Sequence, residues 1–283
     1  MGFIRGNMLP ILKEASRRPF SGHALFLGAP DIYFDYPHLE RMAKIAKVTL
    51  GKPSEMKLSP KPDFAAKQYL DGESVFKMLG FEQISVLDCS EFEGANIIFD
   101  LNSAELPDEL AGKFDVVIDH GTLEHVFHFP NALQNVHNLL KVGGRAINSA
   151  PGTNFFDHGF YMFQPTLFVD YYTANNWDIE SIQVVQFTYN QETEPCFFTD
   201  YEPGLFDSVG YGKMDGKLYT TLCVATKTEN STSSTIPQQG YYKRLNNWSD
   251  PAASANSGPD SATVPAGRSI SGLGGRVRRF FGK

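Results

Sequence analysis

The segment from Phe114 to Arg145 places an acid, several imidazoles and several glycines close together. It reads FDVVIDHGTLEHVFHFPNALQNVHNLLKVGGR, an apolar run that ends in Asp119, His120 and Gly121 before it reaches a second acid and more histidines. Imidazole and carboxylate groups exchange protons near neutral pH, and both bind metal ions. The segment therefore predicts either a catalytic or metal-binding cluster or one wall of a ligand pocket.

Four side chains in this segment and in the loop NFFDHGFY with its flanks are candidates for catalysis: Glu124, His125, His158 and Tyr161. The loop has no packing periodicity that would explain a histidine, and loops carry function more often than cores do. A group that took a proton from an acceptor hydroxyl would contribute about 10² to 10⁴ in rate. His125 also has a purely structural interpretation, as part of a pocket wall.

A metal site is the competing interpretation of the same residues. The potential donors are His120, Glu124, His125, His128, Asp157 and His158. The order HGTLEHVFH differs from the zinc-binding order H-E-x-x-H, and Phe129-Pro130 interrupts the helix that would align the histidines. We therefore expect no bound metal, and metal analysis of the purified protein would decide between the two interpretations.

Acidic residues follow three successive apolar segments. ISVLDCS ends near Asp88, ANIIFDLN near Asp100, and FDVVID at Asp119. In an open parallel sheet, ligands bind beyond the carboxyl ends of the strands. One such acid is often only a turn former, but three at successive strand ends predict a polar ligand site.

The elements that would position these acids alternate between strand and helix patterns. Strands are predicted at HALFLGAP, ISVLDCS, ANIIFDLN, FDVVID, RAINSAP, WDIESIQVVQF and KLYTTLCVATK, with helices at DGESVFKMLGF, FPNALQNVHNLLKVGG and QPTLFVDYYTANN. Asn131 is expected to start the second of these helices and Gly143 to end it. The alternation predicts an α/β fold, with a mostly parallel sheet and helices on both faces.

Composition limits the function classes. The chain has 25 basic and 32 acidic residues, a net charge of −7, and 42% apolar residues. This charge gives no electrostatic footprint for nucleic acid. Three widely spaced cysteines predict no disulfide framework, and the N-terminal residues contain no apolar run of signal or membrane length. We expect a cytoplasmic protein without a transmembrane segment.

The composition changes once along the chain. Residues 1–21 are expected to be an N-terminal extension and 22–227 the folded domain, with an insertion at about 36–70. Residues 228–283 are rich in Ser, Asn, Gly and Pro and end in RVRRFFGK, which predicts a flexible tail. Its basic end is either solubilising or a contact with a partner or a membrane surface.

The block FDVVIDHGTLEHVFHFPNALQNVHNLLKVGGRAINSAP resembles the fourth-strand to fifth-strand region of class I S-adenosylmethionine-dependent methyltransferases. LGFEQISVLDCSEFEGANIIFDLN and HGFYMFQP are similar to one uncharacterised branch of that superfamily. The resemblance covers roughly residues 22–227. It implies a Rossmann-like, mostly parallel seven-stranded sheet whose last strand is antiparallel.

The resemblance also implies S-adenosylmethionine as cofactor and assigns residues to it. Asp88 would bind the ribose, and Asp100 the adenine with Leu101 beside it. The methionine end would be lined by Asp119, His120 and Gly121. The implied activity is methyl transfer to a hydroxyl or amine of a small molecule or glycan.

The glycine-rich turn of the superfamily is largely missing. FLGAPDIYFD contains only Gly28, and Pro30 removes a backbone donor. S-adenosylmethionine has no phosphate, so its chemistry does not require a phosphate-cradling loop. The departure keeps open an alternative function, in which the chain is a non-catalytic member of the fold that binds a partner.

Overall fold

A computed structural model describes residues 2–52, 54, 56–190, 194–240 and 278–280. Its strands are β1 His23–Leu27, β2 Gln83–Asp88, β3 Ile97–Ile98, β4 Phe114–His120, β5 Leu140–Thr153, β6 Asp178–Phe187, β7 Cys196–Asp200, β8 Leu218–Thr226 and β9 Arg278–Phe280. Its α-helices are α1 Arg5–Arg17, α2 Tyr36–Ala46, α3 Pro62–Ala66, α4 Gly72–Met78, α5 Phe129–Leu139 and α6 Pro165–Ala174. Two 3-10 turns lie at Asp108–Leu110 and Leu123–His125.

The strands form one sheet in the order β3-β2-β1-β4-β5-β8-β6-β7-β9. β1 pairs in parallel with β2 and β4, β2 with β3, and β4 with β5. β8 is antiparallel to both of its neighbours, β5 and β6, so β1 to β6 all run in one direction. The predicted Rossmann-like α/β sheet with an antiparallel last strand is confirmed.

The sheet has nine strands in the described residues, two more than the seven expected. β7 pairs antiparallel with β6, and β9 pairs antiparallel with β7. Both extend the sheet beyond β6. β7 lies in the chain between β6 and β8, and β8 then returns to the position between β5 and β6 in the sheet. No single pattern in the sequence marks these short edge strands.

The core lies in two layers, one on each face of the sheet. Along β1, Ala24 and Phe26 pack in the layer beneath α1, α2 and α4, while Leu25 and Leu27 pack in the layer beneath α5 and α6. The alternation follows from the two-residue period of a strand. Helices therefore cover both faces in the described residues, and a ligand is expected at the carboxyl ends of the parallel strands.

Helix α5 begins and ends earlier than the sequence predicted. It starts at Phe129, because Pro130 in the first turn has a backbone angle suited to a helix and needs no donor there. It ends at Leu139, and the chain enters β5 at Leu140 without a glycine cap. Gly143, at a φ of +80°, instead lies in β5, where the register against β4 shifts.

The residues before β1 are part of the core. Met8, Leu9, Ile11 and Leu12 of α1 are fully buried. The Glu14 carboxylate of α1 pairs with Arg145 of β5 at 2.7 Å, with both side chains buried. Helix α1 is therefore bound to the sheet by apolar packing and by an ion pair.

Part of the region predicted as a tail is described. The chain after β8 runs against α6, where Trp177 Nε1 donates to Thr232 O at 3.0 Å and Asn175 Nδ2 donates to Thr235 O at 2.9 Å. The segment YYKRLNNW and most of the basic end lie outside the described residues. No helix in the described ranges is long and apolar enough to cross a membrane.

Candidate functional site

A cavity of about 360 Å³ lies at the carboxyl ends of β1, β2 and β4. Its volume falls within the range of about 300 to 1,000 Å³ found for small-molecule sites. Six of the residues predicted for cofactor binding line it: Gly28, Asp88, Asp100, Leu101, His120 and Gly121. The fold thus brings together residues that are almost one hundred positions apart in the chain.

Gly28 forms the turn that follows β1. Its φ of +78° lies in the left-handed region, and its N–H donates to Leu87 O at 2.9 Å. A Cβ at this position would come within 2.7 Å of Thr122 Oγ1, which itself donates to Leu27 O. Only glycine fits here without a shift, because both the backbone angle and the space exclude a side chain.

Asp88 is the last residue of β2, Asp100 follows the neighbouring β3, and both border the cavity. Oδ1 of Asp88 accepts a hydrogen bond of 3.3 Å from Ser90 N, and Oδ1 of Asp100 accepts one of 2.9 Å from Asn102 N. These local bonds orient both carboxylates. Leu101, which is 4% exposed, supplies an apolar wall beside them. The arrangement offers hydrogen-bond acceptors and an apolar contact to one ligand.

Asp119 lies beneath the cavity and is not one of the residues that line it. Its Oδ1 accepts hydrogen bonds from Thr122 N at 3.0 Å and Leu123 N at 3.2 Å. Burial raises the pKa of Asp119 to about 6, although these two bonds oppose the rise. Asp119 therefore stabilises the turn after β4, and Gly121 and Thr122 of this turn line the cavity.

His120 is buried between the cavity and the N-terminal residues. The Phe3 ring stacks on it at 4.0 Å, and its Nε2 lies 2.8 Å from Asn7 Nδ2 and 3.0 Å from Gly2 O. Burial lowers the pKa of His120 to about 3, so its ring is neutral at neutral pH. Phe3 also lines the cavity, and sequence reasoning missed it because one phenylalanine outside any motif carries no signal.

Glu124, His125 and His158 come together beside this cavity. Glu124 Oε1 lies 3.4 Å from His158 Nε2 and 3.9 Å from His125 Nε2, and the two imidazole rings are 5.1 Å apart. His125 lines the cavity, whereas Glu124 is fully buried behind it. Burial, followed by the charge of Asp119, raises the pKa of Glu124 to about 8. Burial lowers the pKa values of both histidines.

The loop that carries His158 is bound to the backbone of Glu124. Phe160 N and Tyr161 N donate to Glu124 O at 2.8 and 3.2 Å. A Cβ on Gly159 would lie 2.9 Å from the same oxygen, so the close approach needs glycine. The loop and the 3-10 turn are therefore one packed unit that holds the three donors together.

The remaining predicted residues are not in this group of three. The Tyr161 hydroxyl donates to Phe127 O at 2.7 Å and does not line the cavity. His128 is exposed and immediately precedes α5, and Asp157 lies in a left-handed turn at a φ of +60°. Among the described residues, the grouped histidine and carboxylate donors are Glu124, His125 and His158.

Three exposed phenylalanines lie within two positions of His125 or His158 in the chain. Phe127 and Phe160 contact each other edge to face at 5.7 Å, and their exposed fractions are 61% and 66%. Phe156, on the same loop as His158, is also exposed. We call Phe127, Phe156 and Phe160 the aromatic rim. Large apolar side chains left in solvent next to polar groups often mark a binding surface.

The sequence matches no protein-family model, and no curated protein matches it at a significant level. Solved structures with a related arrangement include a 1,6-didemethyltoxoflavin-N1-methyltransferase from Burkholderia thailandensis with bound S-adenosylhomocysteine. It has 14% identity and a TM-score of 0.40, with 80% of this chain and 78% of that chain covered.

Two further structures give similar values. A possible histamine N-methyltransferase from Thermotoga maritima has 16% identity and a TM-score of 0.36, with 78% of this chain and 89% of that chain covered. The YcgJ protein of Bacillus subtilis has 12% identity and a TM-score of 0.42, with coverage of 79% and 99%. Similarity at these values does not assign an activity to this chain. The strand order and the cavity of this chain are the basis for its proposed function.

Proposed function

We propose that this protein is an S-adenosylmethionine-dependent methyltransferase. The observation that carries the proposal is the cavity, at which the carboxylates of Asp88 and Asp100 and the glycine turn at Gly28 meet beyond adjacent parallel strands. This is the edge of an open α/β sheet at which ligands bind. S-adenosylmethionine supplies a methyl group on a positively charged sulfur, which a nucleophile attacks directly.

The residues at the cavity suit the parts of this cofactor. Asp88 can accept hydrogen bonds from the ribose hydroxyls, and Asp100 can accept one from the adenine amine. Leu101 offers the adenine an apolar face, and Gly121, at a φ of +87°, lets backbone border the methionine end. We propose these roles on the basis of position and chemistry.

The acceptor is proposed to be a hydroxyl or amine of a small molecule or glycan. Its support is the aromatic rim beside His125 and His158, because aromatic rings pack against sugar faces and other flat polar molecules. Holding an acceptor in line with the methyl group would supply most of the acceleration, about 7 to 11 kcal/mol for well-oriented reactants. His158 or His125 would then take the proton that the acceptor loses.

The proposal is tested by calorimetric titration of the protein with S-adenosylmethionine and S-adenosylhomocysteine. Asp88→Asn should weaken binding by about 10- to 100-fold, because a hydrogen bond to a charged group contributes about 1.5 to 3 kcal/mol. Asp178→Asn is the matched control, because Asp178 is exposed at the start of β6, away from the carboxyl ends of the strands. Equal loss in both variants would contradict the role of Asp88.

A second function remains for the same fold, a partner-binding protein without catalysis. Two residues at the cavity favour it: Pro30 has no N–H to offer a ligand, and Phe3 takes space beside His120. The same titration separates the two functions. No binding of either ligand at millimolar concentration would exclude the enzyme and leave the partner-binding function.

Two further proposals concern location and partners. The three cysteines, Cys89, Cys196 and Cys223, are free, which supports a reducing compartment such as the cytoplasm. The basic end of the chain is proposed as a contact for a partner or an anionic membrane surface, supported by its charge alone. Unchanged binding to anionic vesicles after deletion of residues 269–283 would remove the membrane proposal.

A further inference from the structure

We propose that Glu124, His125 and His158 bind one divalent transition-metal cation, through a carboxylate oxygen and two imidazole nitrogens. This goes beyond the proposed function, because neither the strand order nor the cavity lining requires a metal. It reverses the expectation from the sequence that no metal is bound, because the sequence alone could not show that these three side chains meet. The three donor atoms lie within 4.8 Å of one another, and they come from two segments packed together. Three protein ligands with a further position open is the pattern of catalytic metal sites.

The first line of support is a buried carboxylate without a donor. Glu124 is 0% exposed, and neither of its carboxylate oxygens accepts a hydrogen bond from any described residue. His158 Nε2, which faces it at 3.4 Å, also lacks a hydrogen bond within the described ranges. A buried polar group without a hydrogen-bond partner is unfavourable, and buried carboxylates are protonated, paired or bound to metal ions. A cation between these atoms would satisfy both of them.

The distances suit a small cation. Bonds of about 2.0 to 2.2 Å in tetrahedral geometry place neighbouring ligand atoms about 3.3 to 3.6 Å apart. The contact of 3.4 Å between Glu124 and His158 already has this separation, and the contact of 3.9 Å to His125 is slightly wider. The His125 side chain is 47% exposed and so has room to close that difference by a small rotation.

The surrounding backbone fixes the site before any ligand arrives. Glu124 O accepts from Phe160 N and Tyr161 N, and Gly159 allows that approach, so the His158 loop cannot drift from Glu124 without breaking both bonds. Such outer contacts are what orient metal ligands in known sites. The buried carboxylate of Asp119 adds negative charge nearby.

The donor set selects the class of metal. Two imidazoles and one carboxylate suit zinc, iron, cobalt or manganese, whereas magnesium and calcium prefer oxygen ligands throughout. His125 also lines the cavity, so a cation here would border the space proposed for the cofactor and acceptor. The open position would take an oxygen ligand, either water or an acceptor.

The test uses the full chain after treatment with a chelator and uses no activity assay. Titration with ZnCl₂ is expected to give one bound ion per chain, and CoCl₂ should produce visible absorption bands of a low-coordinate site. MgCl₂ should bind at least about 100-fold more weakly, given its preference for oxygen ligands.

Glu124→Gln and His158→Gln should each lose zinc affinity by about 100-fold or more and lose the cobalt bands. His128→Gln is the matched control, because His128 is an exposed histidine close by that is not one of the three donors. Thermal unfolding of each variant confirms that it folds. If Glu124→Gln does not fold, His125→Gln provides a replacement variant, because its side chain is exposed.

Absence of stoichiometric zinc binding would overturn the proposal and leave a metal-free pair, with a proton shared between Glu124 and His158. Binding that survives in all three variants would overturn it equally. The titration with S-adenosylhomocysteine, carried out on the metal-free protein, is independent of this result. Either proposal can therefore fail while the other stands.

Discussion

Gly28 shapes the candidate site through its backbone. Replacing it with alanine should destabilise the protein and weaken binding of S-adenosylhomocysteine, because the new Cβ would meet Thr122 Oγ1 at 2.7 Å on a backbone with a φ of +78°. Strain of this kind costs about 1 to 3 kcal/mol. Urea unfolding and calorimetric titration measure the two effects.

Gly143→Ala is the control for Gly28→Ala. Gly143 has nearly the same φ, +80°, but a Cβ there would meet nothing within 4 Å. It should lose stability from the backbone angle alone and keep ligand binding unchanged. Equal binding by the two variants would show that the turn at Gly28 does not shape the cavity.

The aromatic rim gives a second prediction about single residues, which rests on the proposed function. Phe160→Ala should raise KM for the acceptor about 10-fold and leave the affinity for S-adenosylhomocysteine unchanged, because a ring that packs on the acceptor contributes about 1 kcal/mol or more. Transfer of labelled methyl groups to a panel of sugars and amines measures this. Phe92→Ala is the control, since Phe92 is 92% exposed and is not part of the rim.

At this scale, sequence reasoning found the residues whose position in a pattern signals a role. Asp88, Asp100 and Gly28 follow strands, and the structure places all three at the cavity. The same pattern could not distinguish Asp119 from the residues that line the cavity. The Asp119 side chain is directed into the turn beneath the cavity, and that direction depends on the path that the chain takes after β4. Nor could the pattern show that the Tyr161 hydroxyl donates its hydrogen bond to Phe127 O.

Among the elements, α1 is the one whose attachment can be tested directly. Glu14→Gln should destabilise the protein by about 3 kcal/mol, because it leaves the buried Arg145 guanidinium without its acidic partner. Arg145 keeps its bonds to Arg18 O and Pro19 O, which limits the loss. The measurement is the free energy of unfolding in urea.

Glu73→Gln provides the comparison for this ion pair. Glu73 pairs with Lys77 at 2.6 Å on α4, but both side chains are about half exposed, and such pairs contribute about 0 to 1 kcal/mol. A loss in Glu14→Gln as small as that in Glu73→Gln would mean that apolar packing alone holds α1 to the sheet.

The seven strands and three of the helices were predictable because each has either a short apolar run or a regular apolar spacing. Helix α1 was not predicted, since Pro10 and Gly6 interrupt the residues that it buries. The short strand β3 was predicted from its apolar residues. The short strands β7 and β9 were not predicted, because no local pattern marks them and they form only by pairing with neighbours in the sheet. Position in the sheet, which is a property of the whole chain, decided these elements.

For the whole molecule, the buried His120 makes stability depend on pH. Its pKa is about 3 in the folded protein, below the ordinary 6.5, so between these values the unfolded chain binds a proton that the folded chain does not. The contribution of His120 to stability is therefore full above about pH 6.5 and falls as the pH decreases toward 3, by up to about 1.4 kcal/mol per pH unit.

Urea unfolding at pH 7 and pH 5 tests this dependence. The wild-type protein should lose about 2 kcal/mol more than His120→Gln over this interval, given the two pKa values. His128→Gln, at an exposed position, should follow the wild type. A difference near zero between wild type and His120→Gln would show that His120 accepts a proton in the folded protein.

The N-terminal wall of the cavity also affects the order in which the protein folds. Phe3 borders the cavity, yet the helix that follows it packs on β6 and β7, with Gly6 so close to Cys196 that a Cβ would lie 2.8 Å from its sulfur. These partners are far apart in the chain, and contacts of high sequence separation form slowly. Packing of α1 against these strands needs the whole chain through β7, whereas its contacts with α2 can form earlier. Ligand binding should therefore appear in refolding experiments after the central strands have formed, as a late and separate kinetic phase.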